Sequence, residues 1–196
     1  MKSKTFSTQK LVLLALLTAI VVVLQMAGTF IHFGQFQIAL VLLPIVVGAA
    51  MCGTLAGGWL GAVFGAVVLF NGDAAAFLQI NALGTVILVL LKGICAGLAA
   101  GAAYKLFEKK NQVAATIAAA VVSPIVNTGI FTLGCYTIFL PTMREWAGGS
   151  DNVTAFIFLT LIGGNFIFEF IVNLILSPAV VRIIKIGESR FGKRAK

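Results

Sequence analysis

The stretch ALGTVILVLLKGICAGLAAGAAY, residues 82–104, decides the class of fold of this chain. It is apolar almost throughout and carries one charge, at Lys92. An α-helix of about 20 apolar residues crosses the hydrocarbon core of a bilayer, which is roughly 30 Å thick. Because lipid offers no hydrogen bonds to the backbone, only helices and closed barrels can cross it. An unbroken apolar run of this length favours a helix, since barrel strands show short alternating segments.

The composition of the whole chain agrees with this interpretation. Of its 196 residues, 60% are hydrophobic and 10% are charged, with a mean hydropathy of +1.09, whereas about a quarter of the residues in soluble domains are charged. Similar apolar runs recur at residues 11–31, 37–53, 55–71, 82–104, 113–140 and 154–181. The sequence therefore predicts an all-α integral membrane protein, a single domain over residues 1–196. Six transmembrane helices with short loops precede a basic tail at residues 182–196.

The basic residues predict the orientation of the chain. Twelve of the fourteen Lys and Arg residues fall before the first run, between the fourth and fifth runs, or at and beyond the end of the sixth. With six spans these three regions share one side of the membrane, and the positive-inside rule makes that side cytoplasmic. We therefore expect both termini in the cytoplasm. The formal net charge of +8 follows from this topology, so we expect no nucleic-acid partner.

Two charged residues, Lys92 and Glu169, lie inside the apolar runs. A charge at the bilayer centre costs at least about 2.5–3.5 kcal/mol on insertion scales, so it usually faces the bundle interior and marks a substrate path or a buried pair. At the helical rise of about 1.5 Å per residue, Lys92 lies about 15 Å below Ala82 and Glu169 about 21 Å below Ala155, at the outer ends of their runs. We expect the two side chains to be neighbours in depth.

Amide side chains accompany these charges. In GGNFIFEFIVN, residues 163–173, Asn165, Glu169 and Asn173 are spaced four residues apart and therefore share one helix stripe, while Asn127 lies in the fifth run. One interpretation is a polar ligand pocket that opens to the outside and is lined by spans four, five and six. The other is packing, in which the amides join helices and Lys92 pairs with Glu169.

Polar residues in the outer loops favour the pocket, because they are placed to roof it. These loop residues are His32, Gln35, Gln37, Asn71, Asp73, Gln79, Asn81 and Trp146. Taken together, the two groups predict ligand contacts at Lys92, Asn127, Asn165, Glu169, Asn81, Gln35 and Asp73.

Small residues recur at four-residue spacing in three of the spans. Gly53, Gly57, Gly61 and Gly65 form a stripe on span three, and span four has its own glycines at 93, 97 and 101. Such stripes let helices approach closely, so we expect spans three and four to pack through them. Ala15 and Ala19 share one face of span one and are available to a partner helix.

Motifs of the common enzyme classes are missing from the sequence. There is no phosphate-binding G-x-x-x-x-G-K-[ST], no H-E-x-x-H and no G-x-S-x-G, and the chain has one histidine and no C-x-x-C. We therefore expect no catalytic residues, no metal site and no cofactor. Any process that needs energy from ATP has to draw it from outside this chain.

The chain resembles the substrate-binding S components of energy-coupling factor (ECF) vitamin transporters over essentially its whole length. The resemblance rests on its size and topology, on Ala15 and Ala19, and on the segments FNGDAAAFLQINALGTVILVLLKG (residues 70–93) and VVSPIVNTGIF (residues 121–131). It implies a multi-pass protein of the cell membrane whose outer loops and helices four to six hold one vitamin molecule. It also implies that Ala15 and Ala19 contact a membrane coupling protein that carries two cytosolic ATPases.

The ligand is the least determined part of this prediction, because motifs of the biotin and thiamin branches are missing. Pantothenate, with one carboxylate, two hydroxyls and an amide, fits a lysine with nearby amides best, and riboflavin is the next candidate. Two functions of other classes also fit the sequence. A self-sufficient small carrier or channel would use Lys92 and Glu169 as an ion relay, and a structural membrane subunit would use them only to join helices.

Overall fold

The computed structural model describes residues 8–28, 32–33, 36–37, 40–149 and 152–192, and this part of the chain is helical almost throughout. The helices are α1 (Thr8–Gly28), α2 (Leu42–Cys52), α3 (Thr54–Phe70), α4 (Ala75–Ile80), α5 (Ala82–Phe107), α6 (Gln112–Thr137), α7 (Leu140–Trp146), α8 (Val153–Ala155) and α9 (Gly164–Gly192). A π-helical segment, Phe156–Gly163, joins α8 to α9. Two antiparallel strands, β1 (His32–Phe33) and β2 (Phe36–Gln37), lie between α1 and α2.

Several of these helices have the length and composition of membrane spans. Among the described residues, four helical stretches qualify: α1, α5, α6 and the continuous stretch Val153–Gly187. Two further helices, α2 and α3, are apolar but shorter. The second apolar run of the sequence begins at residue 37, whereas α2 begins only at Leu42. The protein is therefore a helical membrane protein, and the number of six spans stays a prediction.

Local chemistry explains three of the helix boundaries: the starts of α5 and α6 and the junction of α2 with α3. Asn81 precedes α5 and its side-chain Oδ1 accepts a hydrogen bond from the Gly84 N–H at 2.9 Å. Asn111 caps α6 in the same way, at 2.8 Å from the Val113 nitrogen. Such caps satisfy backbone donors that have no partner within the helix. Gly53, with φ of +105°, lies between α2 and α3, where a left-handed conformation that glycine adopts readily separates the two helices.

Helices α3 and α5 pack through their glycines, as the small-residue stripes predict. A Cβ atom at Gly61 would overlap the backbone carbonyl of Gly93, and one at Gly97 would overlap the carbonyl of Gly57. Only hydrogen atoms fit between the two backbones at these crossings. This close contact fixes the position of α5, which carries Lys92.

The buried side chains form two apolar clusters. The larger contains residues of α1, α2, α3, α5, α6 and α9, among them Leu17, Ile45 and Leu60. The smaller lies around Phe139 and Met143 and joins α5 and α6 to α7 and the π-helical segment. Members of both clusters line one cavity, so the cavity lies where the two cores meet.

Candidate ligand-binding site

A cavity of about 250 Å³ lies within the bundle. Its lining residues come from α1, α3, the segment 73–74, α4, α5, α6, residue 139, the π-helical segment and α9. Helices α5, α6 and α9 correspond to spans four, five and six of the sequence, which were expected to line a pocket. The contributions of α1 and α3 were not expected.

Lys92 is the basic residue among the described residues that line the cavity. Its ammonium nitrogen lies over two aromatic rings, 5.1 Å from the centroid of Phe131 and 5.8 Å from that of Phe64. Aromatic faces attract a cation at such distances. Within the described part of the chain, no direct ion pair joins Lys92 to Glu169. The ammonium is therefore held in position by rings and keeps its hydrogen-bond donors for another group.

Glu169 and Asn127 supply acceptors to the same cavity. Both side chains are buried, each 8% exposed. In the described part of the chain, Glu169 Oε1 and Asn127 Oδ1 have no hydrogen-bond partner. Most buried polar atoms in proteins do have one, so these two oxygens are suited to accept hydrogen bonds from a ligand or from water.

Asp73 belongs to a hydrogen-bonded network at the roof of the cavity. Its Oδ2 accepts a hydrogen bond from the Gln25 side chain of α1 at 2.8 Å and another from the Asn71 side chain at 2.8 Å. The Asp73 N–H in turn donates to Asn71 Oδ1 at 3.1 Å. The network joins the connection between α3 and α4 to the end of α1. Gln25 and Asp73 both line the cavity, so this network faces it.

Aromatic side chains close another part of the roof. Phe77 of α4 makes edge contacts with Phe131, Phe139 and Trp146, with ring centroids 5.6, 5.0 and 5.6 Å away. Such T-shaped pairs are favourable beyond the area that they bury. The short helix α4 is thus packed over the cavity by its one phenylalanine.

The π-helical segment brings the last helix into the site. Leu161 and Ile162 of this segment line the cavity, followed by Phe166 and Glu169 of α9. Segments with π-helical hydrogen bonding are rare and occur frequently at functional sites. Here the wider π-helical turns change the direction in which the following side chains point, directly before the helix face that carries Glu169.

The structure brings together four of the seven residues that the sequence predicts as ligand contacts: Lys92, Asn127, Glu169 and Asp73. Asn81 is not among the residues that line the cavity, because its exposed side chain caps α5 instead. Gln35 lies outside the described residues, and so does the side chain of Asn165. The ligand contacts themselves stay predictions.

Sequence reasoning missed three polar residues that line the cavity: Gln25, Thr85 and Thr128. Gln25 is buried, with 7% of its surface exposed, and is a polar residue within the long apolar run of span one. Its position inside an apolar run was the signal from which the sequence could have predicted a role for Gln25. Thr85 and Thr128 lie in the two segments that carry the resemblance, residues 70–93 and 121–131, and this was the available signal for them.

The predicted docking residues lie away from the cavity. Ala15 and Ala19 are exposed on α1, while Leu17 and Val21 of the same helix are buried. Thr18 accepts a hydrogen bond at 3.2 Å from the Trp59 side chain of α3. The small-residue face of α1 is therefore open beside α3, as a docking face requires, and its use by a partner stays a prediction.

The sequence of this chain matches a family of known proteins. Residues 9–183 match the sequence model of the family described as "ECF transporter, substrate-specific component". No curated protein and no solved structure gives a significant match. The family match extends from α1 through most of α9 and so includes every described residue that lines the cavity. The chain therefore belongs to the substrate-specific components of energy-coupling factor transporters.

Proposed function

We propose that this chain captures a vitamin from outside the cell, with pantothenate as the first candidate, and holds it in the cavity around Lys92. The observation that carries the proposal is the Lys92 ammonium, which lies over the rings of Phe64 and Phe131 beside the acceptors of Asn127 and Glu169. A lysine offers three donors and suits a single anionic group. The carboxylate of pantothenate would bind there, and its hydroxyls and amide would reach the acceptors.

The size of the cavity supports a compact ligand. Pockets for drug-sized molecules usually have volumes of roughly 300–1,000 Å³, whereas this cavity has about 250 Å³. Pantothenate is the smaller of the two candidate vitamins and is flexible. Riboflavin remains the second candidate because of one observation: five phenylalanines line the cavity, at positions 64, 77, 131, 139 and 166. A flat ring system would stack well on such a wall.

The family fixes the general role of the chain. It is a transport subunit and not an enzyme, it lies in the plasma membrane as a multi-pass protein, and it works with the coupling and ATPase modules of an ECF transporter on a small-molecule substrate. We further propose six spans with both termini in the cytoplasm. In this arrangement Ala15 and Ala19 dock onto the coupling protein, and two ATPase subunits hydrolyse ATP to drive release inward.

Binding by the purified chain tests the proposed ligand. Calorimetric titration with pantothenate and with riboflavin would be combined with mass spectrometry of the small molecules released when the freshly purified chain is denatured. We expect tight binding of pantothenate at one site per chain and its recovery from the denatured sample. Recovery of another vitamin, with no binding of pantothenate, would refute this assignment.

Transport measurements distinguish the other classes of function. The chain alone in liposomes should bind the vitamin without accumulating it, because it has no ATP-binding motif. Accumulation without ATP or partners would instead indicate a self-sufficient carrier or channel. A chain that binds no small metabolite at all would be a structural subunit.

A further inference from the structure

Four buried side-chain oxygens on α6 and α9 have no hydrogen-bond partner among the described residues. They are Ser123 Oγ, Asn127 Oδ1, Glu169 Oε1 and Asn173 Oδ1. The four side chains are 0, 8, 8 and 2% exposed, respectively. Native proteins contain only a few such atoms, and each of them calls for an explanation, for example water or an ion that fills the gap. Four of them on two helices that pack against each other indicate a common site.

The four residues form two layers at successive depths. Asn127 follows Ser123 by four residues on α6, and Asn173 follows Glu169 by four on α9, so each pair lies on one helix face. The Tyr136 hydroxyl donates to Thr154 Oγ1 at 3.2 Å, which places the end of α6 beside the segment that leads into α9. The two helices are therefore antiparallel.

This arrangement places one layer in the cavity and the other below it. Asn127 and Glu169 line the cavity, whereas Ser123 and Asn173 do not. One helical turn has a rise of about 5.4 Å. Ser123 and Asn173 thus lie about one turn deeper than Asn127 and Glu169.

The chemistry of the deeper layer is that of an acceptor site. The Asn173 side-chain nitrogen already donates to the Glu169 carbonyl at 3.0 Å, which leaves its Oδ1 to accept. Glu169 and Asn127 likewise present oxygens. An apolar group or an anion would leave these atoms without donors, and a buried acceptor without a donor costs free energy. The complementary occupant therefore carries hydrogen-bond donors, and an O–H group suits the site best because it can also accept a hydrogen bond from the Ser123 hydroxyl, which an ammonium cannot.

Other buried polar side chains on the same helices do not share this deficit. Ser177 is 3% exposed, and its hydroxyl donates to the Leu174 carbonyl at 2.8 Å. Thr116 is fully buried, and its hydroxyl donates to the Gln112 carbonyl at 2.9 Å. Among the described side chains of α6 and α9, the missing partners are therefore confined to the layers at and just below the cavity.

We propose that Ser123, Asn127, Glu169 and Asn173 form a hydroxyl-binding subsite that extends from the wall of the cavity to one helical turn below it. Its occupants are the hydroxyl groups at the inner end of the ligand, or water molecules that bridge the two helices. For the ligand, the inference rests on the proposed function: Lys92 binds the anionic end, and the subsite binds the alcohol end. Pantothenate has this polarity, because its carboxylate and its two hydroxyls lie at opposite ends of the molecule.

Substitutions in the deeper layer test the subsite with pantothenate as the probe. Ser123→Ala and Asn173→Leu should weaken binding by roughly fivefold to tenfold, the usual value of one or two lost hydrogen bonds. The matched controls Ser177→Ala and Thr116→Val remove hydroxyls that are buried to a similar degree but already bonded, and should change affinity less than twofold. Equal affinities for all four variants and the unmodified chain would overturn the proposal.

An analogue of pantothenate that keeps the carboxylate but lacks both hydroxyls identifies the occupant. If the ligand hydroxyls occupy the subsite, the analogue should bind weakly, and Ser123→Ala should weaken it no further, because the interaction is already lost. If bridging water occupies it, Ser123→Ala should weaken vitamin and analogue by the same factor. Both results support the subsite and differ only in the source of the hydroxyl.

Thermal unfolding of the ligand-free chain tests the subsite without any vitamin. A dry site would leave the Ser123 hydroxyl unpartnered, so Ser123→Ala should then raise the unfolding temperature above that of Ser177→Ala. A hydrated site predicts that Ser123→Ala unfolds at the same or a lower temperature than this control. A clear rise, with unchanged pantothenate affinity, would overturn the proposal. If the unmodified chain binds neither pantothenate nor riboflavin, the vitamin assignment fails and this measurement still decides the subsite.

Discussion

The side chain of Gln25 donates a hydrogen bond of 2.8 Å to the carboxylate of Asp73. Gln25 belongs to α1, the helix that exposes Ala15 and Ala19, and Asp73 belongs to the connection that roofs the cavity. This bond therefore joins the helix of the predicted docking face to the predicted ligand site. A ligand that changes the position of Asp73 would act on α1 directly.

Gln25→Leu should loosen the roof of the cavity. Without the amide donor, Asp73 loses its hydrogen bond to Gln25 of α1. We therefore expect faster amide hydrogen exchange in residues 71–81 and faster ligand dissociation. Exchange followed by mass spectrometry measures the first effect, and stopped-flow binding measures the second. In the unmodified chain, saturation with the ligand should protect residues 71–81, because loops over binding sites are usually of low local stability.

Thr18→Val provides the matched control for this substitution. It removes a side-chain hydrogen bond between α1 and α3, from Trp59 to Thr18, at a position that does not line the cavity. Its exchange in residues 71–81 should equal that of the unmodified chain. If Gln25→Leu behaves in the same way, the contact between Gln25 and Asp73 has no role in closing the site.

Lys92→Ala should weaken binding of the vitamin by roughly thirtyfold or more. The loss of one partner from a buried charged contact costs about 2–5 kcal/mol, and each 1.4 kcal/mol corresponds to a factor of ten in affinity. Lys92→Arg should restore only part of the affinity, because the planar guanidinium differs in shape from the ammonium. Calorimetric titration measures both effects.

The competing interpretation of Lys92 makes a different prediction. If Lys92 and Glu169 only hold helices together, each alanine variant should fail to fold. The double variant Lys92→Met with Glu169→Gln should then recover both folding and normal affinity. That recovery, measured by size-exclusion chromatography and titration, would show that neither charge serves the ligand.

Replacement of both Ala15 and Ala19 by Trp should abolish uptake by the assembled transporter while ligand binding by the isolated chain stays intact. Two large side chains on this exposed face would keep a partner helix at a distance, since close packing in membranes depends on small residues. Uptake into proteoliposomes that contain the partner subunits measures the first effect, and titration measures the second.

Leu83 and Ile87 offer a control for the docking face. They are exposed on α5 with the same four-residue spacing, at 72% and 54% exposure, so their replacement by Trp should leave uptake unchanged. If Ala15→Trp combined with Ala19→Trp instead loses ligand binding, Ala15 and Ala19 serve internal packing.

Gly61→Leu should destabilise the bundle, because any side chain at this position overlaps the carbonyl of Gly93 and forces α3 away from α5. The unfolding temperature in detergent should fall, and ligand affinity should fall with it as Lys92 moves. Gly129→Ala is the control on α6, where a Cβ meets nothing within 4 Å. There we expect an unchanged or slightly higher unfolding temperature, since alanine favours helix by roughly 1 kcal/mol over glycine. Equal losses at both positions would contradict the packing role of Gly61.

The sequence by itself determined that this protein lies in a lipid bilayer, and it determined where the main helices are. Long apolar runs have few ways to satisfy their backbone in lipid, so residues 82–104 predict a helix almost without regard to their neighbours. The same reasoning selected Lys92 and Glu169, because a charge in such a run is too costly to keep without a purpose. The glycine spacing of span three likewise predicted close packing, since spacing on a helix is a local property.

Only the tertiary structure decided which polar groups meet. Asn81 and Asp73 look alike in the sequence, yet Asn81 caps α5, whereas Asp73 bonds to Gln25 across 48 positions of the chain. A hydrogen bond between distant residues depends on which helices lie side by side. The spacing of residues along one helix does not contain that information. For the same reason, the sequence did not identify Gln25 and Thr85 as residues that line the cavity. It also did not show that the oxygens of Ser123 and Asn173 lack a partner among the described residues.

The buried hydroxyls of Ser177 and Thr116 donate to carbonyls of their own helices. An amide or carboxylate oxygen such as Asn173 Oδ1 or Glu169 Oε1 needs a donor from outside its helix, because the helix N–H groups are already used, and the sequence of one helix does not show which donor faces it.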